Sequence, residues 1–276
     1  PAFHGKLLIE IPLSIPQANV LKGDFGKAVL EEYNGRAKSD YDNASALGVL
    51  SYNNNIVTGS NPFAVVLVNQ IIGQNGLRTT SPADLEKVLK TQALNLRGFY
   101  EDSALILRTE GKPNSYLALN LIQQVQKRNP KTKMPVMIPL NGLDLENDKN
   151  SNHRLSFKLR ENAEIIPTQI LSKDGNFEDT DEKTGLPKKL GKGNRCSYTA
   201  KGGLRRVYLV NCLNLYSRND DHANSYSNGR VVVISAGGAS PKILDEHINR
   251  LQKLRDKEIA RIQEKYYQAE AVLRGK

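Results

Sequence analysis

At 276 residues, with 39% hydrophobic and 25% charged residues, the chain is long enough for one large domain or two ordinary ones, and its composition excludes global disorder. Its 39 Lys and Arg against 29 Asp and Glu give a formal net charge of +10, which favours a polyanionic partner. The longest apolar run, residues 63–72, is broken by Asn69 and Gln70 and falls short of the roughly 18 residues a bilayer span needs, so no membrane partner is expected.

The opening residues lead into a strand-like stretch at 7–13 and lack the long apolar core of a secretory signal, so a cytoplasmic setting is expected. Residues 15–60 are rich in Asn, Gly, Asp and Ser, with a short helix expected at 27–32 and strands at 46–51 and 55–58. Signals sharpen at Asn61, which caps a helix with Pro62 at its first position; residues 63–72 are apolar on almost every side, so this helix is expected in the core. Ser81, Pro82 and Asp84 repeat the start signal with a capping box, and Leu85, Val88 and Leu89 supply an apolar face.

A strand at 103–108, a helix at 113–128 and a strand at 135–140 read as a βαβ unit, and a right-handed crossover makes its two strands parallel. Lys127, Arg128, Lys131 and Lys133 crowd the end of that helix, where the dipole favours cations; the surplus makes a minor candidate for phosphate contact. After the turn at Asn141-Gly142, Leu155, Phe157 and Leu159 alternate with Ser156, Lys158 and Arg160, a half-buried strand whose open face is basic. Residues 163–171 continue in strand-like composition, with Pro167 confining them to an edge or bulge.

The main candidate site follows. Between residues 184 and 219 there is no Asp or Glu, while Lys188, Lys189, Lys192, Arg195, Lys201, Arg205, Arg206 and Arg218 are interleaved with Tyr198, Tyr208 and Tyr216. Cations with aromatics suit phosphates and unpaired bases. Residues 204–216 read as one strand, with Val207, Leu209, Leu213 and Leu215 on a core face and Arg206, Tyr208, Asn214 and Tyr216 on the other. Nucleic acid, single-stranded by preference, is therefore the expected partner, met by Lys188, Lys189, Lys192, Arg195, Lys201, Arg205, Arg206, Tyr208 and Tyr216, with Lys158 and Arg160 on a second open face. A competing reading has the acidic block at 178–182 clasp the basic block and spend its charge internally.

Residues 230–235 form a β-branched strand, followed by a small-residue turn and a helix start at Ser240-Pro241, a weak anion-site signal. The terminal helix, 241–274, carries Leu244, Ile248, Leu251, Arg255, Ile259, Ile262, Tyr266, Ala269 and Leu273 as a heptad seam with one four-residue insertion, a route to self-association. Cys196 and Cys212 show no paired or metal-binding spacing and read as free thiols. His4, His153, His222 and His247 are scattered. The carboxylate pairs Glu101-Asp102 and Asp144-x-Glu146 have no nucleophile or histidine beside them, so neither cofactor nor catalytic residue is named.

The expected architecture is a mixed α/β (α+β) core over 1–240, with a βαβ portion in the first half, mainly antiparallel strands in the second, and a sub-boundary near 142–150. A long amphipathic helix completes it over 241–276. The expected function is nucleic-acid binding without catalysis; the alternatives are a structural subunit of a homo-oligomer or larger assembly, and an enzyme of unassigned class.

Overall fold

The computed structural model describes residues 18–210 and 212–235, with 259–263, 265–267, 270 and 274 from the terminal region. Residues 1–235 and 236–276 separate into two compact units. The expected strand at 7–13, the turn at 236–239 and most of the terminal helix lie outside the described residues; 259–263 and 265–267 are helical, with Ile259, Ile262, Tyr266 and Tyr267 exposed.

The first unit opens with β1 (Asn19–Val20) and α1 (Gly23–Ser39), a helix far longer than the one expected. Its inward stripe is narrow, Gly26, Val29, Tyr33 and Ala37, and the rest is polar, which hides the helical period. Gly26 allows the close approach, because a Cβ there would lie 2.8 Å from the Leu21 carbonyl carbon. The strand expected at 46–51 is instead a helical turn, α2 (Ala44–Leu47), since the Asn43 side chain accepts the Ala46 N–H at 3.3 Å. A hairpin follows, β2 (Ser51–Asn53) and β3 (Ile56–Thr58), turning through Asn54 and Asn55 at φ 48° and 67°.

Helix α3 (Pro62–Ile72) is capped as its sequence implies, with Asn61 accepting the Ala64 N–H at 2.7 Å, and it is buried on nearly every side. The Asn61 amide also donates to the carbonyls of Ala46 and Ala223, tying three segments at one point. After β4 (Leu77–Thr79), α4 (Pro82–Thr91) begins with the Ser81–Asp84 capping box.

Strand β5 (Glu101–Leu107), α5 (Ser115–Arg128) and β6 (Val136–Pro139) depart from the expected βαβ unit: β5 and β6 are antiparallel. Val136 pairs with Leu107 and Pro139 with Ala104, so the chain re-enters the sheet at the end it left. A parallel pair needs a connection that returns the full strand length, and this one does not. Strand β7 (Leu143–Asn147) was not anticipated; it pairs antiparallel with β8 (Leu155–Leu159).

The rest comprises β9 (Ile166–Pro167), β10 (Gly175–Phe177), β11 (Arg195–Thr199), β12 (Leu204–Leu209), β13 (Leu215–Ser217) and β14 (Val232–Ser235). Seven strands form the main sheet in the order β10-β11-β13-β12-β5-β6-β9, antiparallel at every step except β11 with β13. Pro167 sits on an edge strand, where its missing N–H costs no ladder bond. Strand β5 is buried throughout and splits its side chains between two cores. Leu105 and Leu107 join α3, α5 and the β7–β8 hairpin; Ala104 and Ile106 join Leu85 and Val88 of α4 with Val207, Leu209 and Leu215. The core thus runs continuously across residues 142–150, through Leu143, Leu145, Leu155 and Phe157.

Candidate nucleic-acid interface

The stretch at 204–216 is a hairpin rather than a single strand. Leu213 takes φ 70°, its N–H reaches the Val210 carbonyl at 2.7 Å, and β13 returns beside β12. Tyr208 and Tyr216 face each other across the pair, with ring centroids 5.3 Å apart, while Val207, Leu209 and Leu215 enter the core opposite. Tyr198 on β11 extends the row, 5.7 Å from Tyr216. Tyr100, just before β5, lies 5.6 Å from Tyr208 and 6.2 Å from Tyr226. Five tyrosines thus form one file, Tyr198, Tyr216, Tyr208, Tyr100, Tyr226, the first three on neighbouring strands and Tyr226 on a loop.

The rings are not equally open. Tyr226 is 64% exposed, Tyr198, Tyr208 and Tyr216 are half-buried, and Tyr100 is buried with its hydroxyl on the Ser60 carbonyl at 2.7 Å. Burial pushes the Tyr208 phenol up to about 12. Arg218 lies over the Tyr198 ring at 5.2 Å.

Two of the anticipated cations are committed inside the protein. Arg206 is 1% exposed and forms a two-pronged pair with the fully buried Asp102, at 2.9 and 2.6 Å. It also donates to the carbonyls of Ser60, Asp221 and Asn224, which pins the 219–226 segment. Burial opposes its charge, but the Asp102 carboxylate outweighs that and holds its pKa above the usual arginine range. Arg206 therefore supports the tyrosine file from beneath, 5.3 Å from Tyr208 and 5.7 Å from Tyr100, and is not open to a ligand. Arg195 is similarly engaged: it grips Glu86 at 2.7 and 2.6 Å, donates to the Leu213 carbonyl, and stacks on Phe177 at 4.6 Å.

Lys158 and Arg160 are each met by an acid that the sequence reading did not place beside them, although Lys158 stays exposed. Across the unanticipated β7, Lys158 pairs with Glu146 at 2.9 Å and Arg160 with Asp144 at 2.7 Å. The Glu101-Asp102 carboxylates are buried partners of Arg230 and Arg206 rather than surface groups. Lys188, Lys189 and Lys192 are exposed, precede β11, and make no ion pair among the described residues. The acidic block touches this stretch mainly through backbone, Lys188 N–H to the Asp179 carbonyl and Thr180 against Pro187, while Glu182 reaches Lys90.

The basic run is therefore divided by β11. Lys201 and Arg205 lie beyond the far end of that strand from Lys192 and Arg195. Because β11, β13 and β5 all run against β12, their C-terminal ends share one edge with its start, and Arg108, Lys201, Arg205 and Arg218 gather there. Arg108 is buried without a carboxylate partner among the described residues; it donates to Ser217, Leu171 and Thr199, and burial, then Arg205, brings its pKa down to about 10. Two acids answer from the surface, Asp174 on Arg218 and Asp220 at 3.9 Å from Arg205. The Asp174–Arg218 pair is exposed and worth at most about 1 kcal/mol, whereas the Arg205 side chain is only 14% exposed and donates to the Gly202 and Arg218 carbonyls.

Sequence reasoning missed Tyr100 and Tyr226, which reach the file from distant segments and carry no local signal. Tyr198 was visible as an interleaved aromatic, but nothing local placed it beside Tyr216. Arg128, in the minor cluster, is held by the carbonyls of Ala163 and Arg160 and lines an open cleft of about 720 Å³ with Lys131 and Lys133. Among the described residues no group of three or more His, Cys, Asp or Glu side chains could hold a metal ion, and no helix is long and apolar enough to cross a membrane. No family model, curated protein or solved structure matches the chain.

Proposed function

We propose that the protein binds single-stranded nucleic acid along the tyrosine file. Tyr198, Tyr216 and the outer part of Tyr208 serve as stacking rings, and Lys201 and Arg218 serve as phosphate contacts, with Arg205 bracing the edge through the Gly202 and Arg218 carbonyls. The observation that carries this reading is the file itself: aromatic rings 5.3 to 5.7 Å apart on adjacent strands, with an arginine over the outermost of them and a basic edge alongside that surface acids only partly offset. Stacking accepts any base, because every base has a π-face, and the basic edge supplies the sequence-independent part of the affinity. Lys188, Lys189 and Lys192 lie past the other end of β11 and extend the track for a longer strand.

Titration of labelled single-stranded oligonucleotides at several salt concentrations tests it. Tyr216→Ala costs about 1–3 kcal/mol of binding with an unchanged salt dependence. Lys201→Gln lowers the log–log salt slope by about 0.7. Wild-type protein that binds no oligonucleotide at low salt overturns the reading. A structural-subunit role has one observation in its favour, the exposed Ile259, Ile262, Tyr266 and Tyr267 of the terminal unit; a large, salt-insensitive mass in solution marks that alternative.

A further inference from the structure

At the Tyr226 end of the file lies a cleft of about 640 Å³, between the β2–β3 hairpin and residues 224–227. Phe99 and Tyr226 supply two aromatic rings, Asn53, Asn224, Ser225 and Ser227 supply amides and hydroxyls, and no charged residue lines it. Arg230 lies over the Phe99 ring at 4.2 Å with its charge matched by Glu101 at 2.6 Å.

A cleft with no charge does not select a phosphate or an ionised side chain, whose desolvation it would leave unmatched. Rings beside amide and hydroxyl groups suit a flat, neutral heterocycle with a hydrogen-bonding edge. The volume lies within the roughly 300–1,000 Å³ usual for small-ligand clefts. The polar groups are partly uncommitted: the Asn53 amide donates to Ser51 and Thr58, while its oxygen and the Ser227 hydroxyl have no hydrogen-bond partner among the described residues. Tyr226 belongs to both features, since it lines the cleft and meets Tyr100 edge-on.

We infer that this cleft is a pocket for one unpaired nucleobase of the strand that crosses the tyrosine file, and that it gives an otherwise base-tolerant surface a preference. This inference rests on the proposed function, and it assigns the neutral cleft a separate task. The file holds any base by stacking, whereas the cleft reads the hydrogen-bonding edge of one.

The test is a set of homopolymeric and mixed single-stranded oligonucleotides of about 12 nucleotides, within the span such surfaces cover. Wild-type protein is expected to discriminate between bases by about fivefold, the worth of one hydrogen bond. Tyr226→Ala and Asn53→Ala are expected to abolish that discrimination and leave the salt slope unchanged. Both side chains are exposed, so neither variant threatens the fold. Tyr216→Ala is expected to weaken every oligonucleotide alike and keep the discrimination. Equal affinity for all bases in the wild type, or discrimination that survives Tyr226→Ala, overturns the pocket and leaves the file standing. Absence of binding to every oligonucleotide overturns both.

Discussion

The main sheet has a covered half and an open half, and β12 belongs to both. Toward β5 and β6 the sheet is packed on two sides, with Leu105, Leu107 and Leu204 under the helices and Ala104, Ile106 and Val207 on the opposite core. Toward β13 and β11 one face keeps its core, through Leu209, Leu215 and Phe177, while the other carries Tyr208, Tyr216 and Tyr198. The composition of that second face changes from leucine to tyrosine along the way. At the junction sits the Arg206–Asp102 pair, buried and held by the 219–226 segment. The contrast teaches that aromatic residues in a strand indicate a surface only where nothing packs above them, and that a basic residue beside them is as readily a buried support as a ligand contact.

Breaking the junction has the largest expected effect. Asp102→Ala leaves Arg206 as an uncompensated buried charge and costs about 3–5 kcal/mol of stability, measured by urea unfolding. Replacing both members by apolar residues of similar volume recovers only part of that loss, because the Ser60, Asp221 and Asn224 carbonyls lose their donor; a double variant as unstable as the single one contradicts the argument. On the covered half, Leu105→Ala costs about 2–5 kcal/mol through lost burial and a cavity. It leaves oligonucleotide affinity of the folded fraction intact, and a selective loss of binding in this variant counts against the division of the sheet.

Two buried groups near the junction make stability depend on pH in opposite directions. Burial raises the Glu101 carboxyl from 4.5 to about 7 against the pull of Arg230, so its contribution is complete below pH 4.5 and is lost as pH rises through 7. Burial, reinforced by Arg206 and His153, lowers His222 from 6.5 to about 3, so its contribution is present above pH 6.5 and is lost as pH falls toward 3. Glu101→Gln is expected to flatten the curve on the neutral side, and His222→Leu on the acid side, each by roughly 1–3 kcal/mol over its window. Urea midpoints from pH 4 to 8 read both, and matching curves for wild type and variant dismiss the group concerned. The smallest effect belongs to the open half: Tyr198→Ala changes stability by less than about 1 kcal/mol while weakening the oligonucleotide, and a large stability loss places that ring in the fold instead.

Some of this was legible in the sequence for definite reasons. Tyr208 and Tyr216 share a face because both positions are even, and that parity survives the turn at 210–214 which the sequence reading overlooked. Asn61-Pro62 and the Ser81–Asp84 capping box are local chemistry, and both helices begin where they signal. Other features rest on partners far along the chain. Nothing near Arg206 announces Asp102, and nothing near Lys158 and Arg160 announces Glu146 and Asp144, because β7 is short and its charges face outward. The direction of β6 was misjudged because helical periodicity tells that α5 packs on the sheet, not at which end the chain re-enters it.

The order β11-β13-β12 has a consequence for how the molecule assembles. Strands β11 and β12 are consecutive in the chain, yet β13, which comes after both, lies between them. Strand β11 can pair with β10 on its own, but the β13 edge that joins it to the rest of the sheet exists only once the β12–β13 hairpin has closed, so β11 is expected to dock late and to depend on that hairpin. Late elements that rest on short neighbours sit at the weak end of the distribution of local opening energies. Tyr198 rides on that strand, with Arg218, just past β13, over its ring, whereas Tyr208 sits on a strand anchored to β5. The two ends of the file thus differ in how often they open, and amide exchange is expected to be faster along β11 than along β5.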